Sequence, residues 1–94
     1  MIKSIKHKGL RLLWEKGDSS KLPADHIAKI ELRLDVIDSA TQVPEDFGVF
    51  PGWKAHKLTG GYKDYWSIWV SGNYRITFKW DGENALDLDY LDYH

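Results

Sequence analysis

Apolar positions recur at helical spacing in the first third of the chain, and after residue 53 the period falls to two. Leu10, Leu13 and Trp14 stand at i, i+3 and i+4, and Gly17 follows Lys16 as a stop, which predicts a first helix. Met1 to Ile5 reads as a short lead-in strand. A polar link from Asp18 to Lys21 precedes Pro23, which suits the first turn of a second helix. Ile27, Ile30, Leu34 and Ile37 line its stripe, with Lys29, Arg33 and Asp35 off it, and it ends near Ser39 to Thr41. Residues 42–52 hold Pro44, Gly48, Pro51 and Gly52 and read as a loop.

Four strands are expected beyond that loop. The first covers residues 53–58 and ends at the Gly60-Gly61 turn. Tyr65 to Val70 and Tyr74 to Trp80 are aromatic and β-branched runs around Gly72-Asn73, a strong hairpin signal. Asp81-Gly82-Glu83-Asn84 makes the next turn, and Ala85 to Leu91 the last strand. Alternation puts Tyr74, Ile76, Phe78 and Trp80 on one face and Arg75, Thr77 and Lys79 on the other. In the last strand Leu86, Leu88 and Tyr90 oppose Asp87 and Asp89. Two helices followed by a meander predict one α+β domain over residues 1–94. The helices pack on one face of a small twisted antiparallel sheet, and the other face is left for a site.

Composition narrows the function classes. A chain of 94 residues has one core and no room for a second domain. Zero Cys excludes disulfides, thiolate catalysis and Cys-based zinc sites, and is compatible with the cytoplasm. No run approaches a membrane span or a signal peptide, since Arg11 interrupts the early apolar run. The formal net charge of -1 argues against a protein that coats nucleic acid, but the charge is segregated. Residues 1–33 and 53–79 each carry a net +4, whereas residues 34–52 carry -4 and residues 80–94 carry -5. Such blocks either meet as opposite charges in the fold or build a basic face on a near-neutral molecule.

Four features bear on chemistry. Asp92-Tyr93-His94 follows the last strand, where neighbouring carboxylates favour the imidazolium of His94, a competent general acid. Elsewhere such an end is commonly a frayed tail. His56 and Lys57 lie on the first strand, where a lone histidine is more often surface or filler. Arg75 sits on the open face, either paired with Asp87 or Asp89 or holding an anion. Trp53, Tyr65, Trp66, Trp69, Tyr74 and Trp80 divide between core and candidates for base stacking or a protein interface. Walker loops, dinucleotide fingerprints and nucleophile elbows are absent, and His7, His26, His56 and His94 lack metal-ligand spacing, so no cofactor and no metal is expected. His, Arg, Lys, Tyr and Asp on a small sheet suit RNA cleavage by internal attack, because RNA brings its own nucleophile in the 2′-hydroxyl.

With Asn73-Tyr74-Arg75-Ile76 in the hairpin and Asp92-Tyr93-His94 after the last strand, the order of residues resembles the HigB group of RelE-like killer toxins from bacterial type II toxin–antitoxin modules. The resemblance spans nearly the whole chain, from Met1-Ile2-Lys3-Ser4 and Lys6-His7-Lys8-Gly9-Leu10 through Trp14-Glu15-Lys16-Gly17 and Pro51-Gly52. It is strongest at Tyr65-Trp66-Ser67-Ile68, at Gly72-Asn73-Tyr74-Arg75-Ile76-Thr77-Phe78 and at Asp92-Tyr93-His94. It implies the RelE-like fold and a ribosome-dependent mRNA endonuclease acting in the ribosomal A site. It also implies neutralisation by a helix-turn-helix antitoxin of HigA type, through which alone the pair reaches operator DNA. By position, His56 and His94 become acid/base groups, Asp92 a base or orienter, and Tyr93 a positioner of substrate. Arg75 becomes the phosphate clamp. Lys57, Lys63 and Lys79 are candidate substrate-binding cations.

One departure stands out. Relatives commonly read Pro-Leu-Lys-Gly after the catalytic histidine, whereas Lys57-Leu58-Thr59-Gly60 follows His56 here. Thr59 thus takes the usual lysine position, and Lys57 or Lys63 is left to supply the charge. Two alternatives stay open at this level: a RelE-like module that blocks the ribosome or binds its antitoxin without cutting RNA, and a toxin acting on gyrase. The latter has no use for His56, Arg75 and His94.

Overall fold

A computed structural model describes residues 1–92; Tyr93 and His94 lie outside the described residues. Helix α1 spans Lys8–Lys16. His7 begins it, its Nδ1 accepting from the Leu10 amide at 3.2 Å. Gly17 ends it in the left-handed region (φ 69°), its N–H returning to the Leu13 carbonyl and that of Asp18 to the Leu12 carbonyl. A 3-10 turn at Ala24–His26 leads into α2, Ile27–Ser39. The strands are β1 (His56–Lys57), β2 (Tyr65–Ser71), β3 (Tyr74–Trp80) and β4 (Ala85–Asp92). They form one antiparallel meander in the order β1-β2-β3-β4. The α+β architecture expected from the pattern is the one observed.

Register separates the two sheet faces. Trp66 pairs with Phe78, Ile68 with Ile76 and Ile76 with Tyr90. This face meets Leu10 and Leu13 of α1 and Ile30, Leu34 and Ile37 of α2 in one core. Ile30, Ile37, Ile68, Ile76, Phe78 and Leu88 are completely buried. Each is worth about 1.5–3 kcal/mol against exposure. Phe47 caps the core edge-on to Phe78 at 6.0 Å.

Three expectations need correction. The strand expected over residues 53–58 shrinks to His56–Lys57, because Trp53 belongs to a 3-10 turn at Pro51–Trp53. Its ring stacks on Phe50 at 4.1 Å and is buried, so packing overrides strand propensity there. Met1 to Ile5 is not a strand; residues 1–6 run beside β4 through two isolated parallel bridges, Ile2 to Ala85 and Ile5 to Leu88. That segment covers the free edge of β4, with Ala85 N–H donating to the Met1 carbonyl and Lys6 N–H to the Leu88 carbonyl. Arg33, expected off the stripe, is buried.

The alternation of β4 also breaks. A bulge lies opposite the Thr77 to Lys79 step, and Asp87 adopts φ 53°. Ser4 fastens it: its Oγ accepts from the Asp87 amide at 2.8 Å and donates to the Asp87 carboxylate at 3.2 Å. In consequence Leu86 pairs with Lys79 and is half-buried, while Ala85 joins the core.

Candidate functional site

The sheet face turned from the helices carries a polar row running across all four strands. His56 pairs with Ser67, Ser67 with Thr77, and Thr77 with Asp89. On one side of that row Trp69 pairs with Arg75, which pairs with Leu91. On the other, Tyr65 pairs with Lys79, which pairs with Leu86. His56, Arg75 and Lys79 therefore share one face. Arg75 lies two strands and one row from His56, about 12 Å between Cα atoms from sheet spacings. Two side chains reaching inward across that span can meet on one phosphodiester.

His56 is exposed, and its Nδ1 lies 2.6 Å from the backbone carbonyl oxygen of Lys54. A carbonyl only accepts, so Nδ1 carries the proton and, in the neutral ring, Nε2 presents a lone pair. Lys54 aims that carbonyl from a left-handed backbone, φ 50° and ψ 45°, an uncommon state for a residue with a side chain.

The lysines divide. Lys57 on β1 holds its ammonium 5.7 Å from the Trp66 ring centroid, and Lys79 holds its own 5.3 Å from that of Tyr65. Both line a cleft of about 450 Å³ together with Val43, Trp66, Trp80 and Asp64. Lys63 is exposed just past the Gly60–Tyr62 turn. Asp92 ends β4 opposite Tyr74 and lines a different cleft, about 460 Å³, with His7, Lys21, Tyr74 and Tyr90. Tyr93 and His94 lie outside the described residues. The fold thus gathers His56, Arg75 and Lys79 on one face and joins Lys57 to Lys79 in one cleft, while Asp92 opens on the second cleft.

Three further features surround the site. Arg33 stacks its guanidinium 4.5 Å from the Trp53 ring centroid and donates to the Trp69 and Lys29 carbonyls. Burial lowers its pKa. Its spacing was legible, since residues 30, 33, 34 and 37 follow i, i+3, i+4, i+7. His26 is buried, with its Nδ1 2.6 Å from the Tyr90 hydroxyl, and Tyr90 stacks on Tyr74 at 5.1 Å. Burial first, then Tyr74 and Asp25, pushes the Tyr90 phenol up to about 12. The third is the Ser67 and Thr77 pair, small polar residues completely enclosed at the centre of the polar row.

Comparison with known proteins gives the arrangement its relatives. A family model described as the RelE-like toxin HigB of type II toxin–antitoxin systems matches residues 3–94. The chain is similar to an "Endoribonuclease HigB" of Proteus vulgaris, 48% identical over 94 residues and covering all of both chains. It is also similar to "Toxin HigB-1" of Vibrio cholerae serotype O1, 33% identical over 95 residues, covering 100% of this chain and 98% of that one. Matched along almost its whole length, the chain belongs to the HigB-like family of RelE-like toxins from type II toxin–antitoxin systems.

Proposed function

We propose that this toxin is a ribosome-dependent mRNA endonuclease that cuts translated message in the ribosomal A site and arrests growth in the cytoplasm. Its P. vulgaris relative is named an endoribonuclease. The reading rests on His56, whose protonated Nδ1 is occupied by the Lys54 carbonyl and whose Nε2 is left to act on the face that also bears Arg75 and Lys79.

In this mechanism His56 Nε2 takes the proton of the 2′-hydroxyl, and the freed oxygen attacks the adjacent phosphorus. Arg75 offsets the extra charge that builds on the phosphoryl oxygens, with Lys79 and Lys57 along the path of the RNA. His94 protonates the departing 5′-oxygen, Asp92 orients the terminal histidine, and Tyr93 positions the nucleotide. The products are a 2′,3′-cyclic phosphate and a 5′-hydroxyl, with every proton accounted for and no metal required. Lys57 or Lys63 supplies the charge of the lysine that Thr59 replaces.

The partner that holds the toxin in check is proposed to be a helix-turn-helix antitoxin of HigA type, and operator DNA is reached only through it. Induction of the toxin in growing cells, with primer extension on a translated message, tests the activity. Codon-phased breaks are expected. Growth arrest without breaks favours a module that blocks the ribosome, and DNA damage linked to gyrase favours the third reading.

A further inference from the structure

The middle of the polar row is energetically odd. Ser67 is 0% and Thr77 1% exposed, and the two are in-register neighbours on β2 and β3. Neither Ser67 Oγ nor Thr77 Oγ1 meets a hydrogen-bond partner among the described residues. Buried hydroxyls ordinarily find partners, and an enclosed one without a partner costs stability. Alanine and valine would fill the same space free of that cost. Polar side chains here therefore call for a ligand that pairs with them.

Their surroundings indicate the ligand. On the same face, the neighbours along the strands are Tyr65 and Lys79 on one side and Trp69 and Arg75 on the other. His56 and Asp89 close the row. Of these neighbours His56 is exposed and Tyr65, Lys79, Trp69, Arg75 and Asp89 are half-buried. Lys79 rests on the Tyr65 ring, a contact for which a phosphate competes directly. Two hydroxyl donors flanked by an arginine and a lysine suit an anionic oxygen.

We infer that Ser67 and Thr77 are substrate-contacting residues whose hydroxyls donate to a phosphate oxygen of the bound RNA backbone, uncovered when that phosphate draws Lys79 from Tyr65. This deepens the nuclease reading and rests on it. It implies a trade: among the described residues of the free protein both hydroxyls lack a partner, and the RNA complex satisfies them.

The experiment uses full-length toxin on ribosomes programmed with a defined mRNA, alongside thermal melts of the free protein. Thr77→Val keeps the shape and loses the hydroxyl, whereas Thr77→Ser keeps the hydroxyl. Thr77→Val should lower kcat/KM for cleavage at least tenfold while melting at or above the wild-type temperature, and Thr77→Ser should cut nearly as wild type. Ser67→Ala should repeat the Thr77→Val pattern, which covers the case in which one variant fails to fold. Wild-type cleavage with Thr77→Val and Ser67→Ala equally fast overturns this inference alone. A lower melting temperature with intact cleavage also overturns it, by making the pair purely structural. No cleavage by the wild type would remove the nuclease reading and the inference with it.

Discussion

His56 and Lys54 are joined by a 2.6 Å contact between imidazole Nδ1 and a main-chain carbonyl, two residues apart across a left-handed backbone turn. That contact selects the tautomer with Nε2 unprotonated. Nitrogen-15 NMR on selectively labelled histidine should find His56 in the Nδ1-protonated form when neutral. Lys54→Gly, which accepts φ 50°, should leave that tautomer and the cleavage rate unchanged. Lys54→Val disfavours the turn by about 1–3 kcal/mol, releases the ring and should reduce cleavage with it. An Nε2-protonated His56 in the wild type contradicts the proposed base.

Replacing His56 itself should remove the general base and leave the fold. The residue is exposed on a two-residue strand and contributes nothing to the core. His56→Ala is expected to lose about 10²–10⁴ in cleavage rate with an unchanged melting temperature. Cleavage within twofold of wild type would assign the base elsewhere.

Arg33 has the opposite profile. Its hydrogen bonds to the Trp69 and Lys29 carbonyls and its stacking on Trp53 tie α2 to β2 and to the turn before β1. Arg33→Ala should cost about 2–4 kcal/mol in urea unfolding. Arg33→Lys should restore little, because an ammonium cannot stack and reach both carbonyls with one planar fork. Full stability of Arg33→Lys would show that charge alone matters at this position.

Tyr90 predicts an alkaline limb in stability. Its phenol is raised from 10.0 to about 12 in the folded protein, so the unfolded chain ionises first. The contribution is complete below pH 10 and drains away as pH rises toward 12. Tyr90→Phe removes the contact with His26 Nδ1 and should cost about 1–2 kcal/mol at neutral pH. The variant's stability should also fall less steeply than that of the wild type across this alkaline window. Parallel pH profiles from urea titrations would contradict the assignment.

The hairpin, both helices and the division of β3 into two faces were legible because each depends on local period and turn chemistry. Tyr74, Ile76, Phe78 and Trp80 alternate cleanly, and Gly17 stops α1 where a left-handed residue is needed. The rest depends on contacts distant in sequence. Nothing near Trp53 announces that Phe47, Phe50 and Arg33 will take its ring and shorten β1. Nor does the Leu86 to Tyr90 alternation reveal the bulge that Ser4 holds from the other end of the chain. At the site, the identities of His56, Arg75 and Lys79 came from residue type and resemblance. Their common face required the register, which also brings Asp92 opposite Tyr74 rather than into the His56 row.

Removal of Tyr93 and His94 separates fold from chemistry, since β4 already pairs with β3 through Asp92. A chain ending at Asp92 should melt within a few degrees of wild type and fail to cut RNA. Retained cleavage would place the acid among the remaining groups.

The chemistry of the cut ends reports on whether the 2′-hydroxyl is the nucleophile. Purified toxin, ribosomes and an end-labelled mRNA suffice, with one variant message carrying a 2′-deoxynucleotide at the cleaved position. Internal attack predicts a 5′-hydroxyl on the downstream fragment, a 2′,3′-cyclic phosphate on the upstream one, and no cut in the deoxy-substituted message. A 5′-phosphate end, or cleavage that survives the deoxy substitution, would rule out attack by the 2′-hydroxyl.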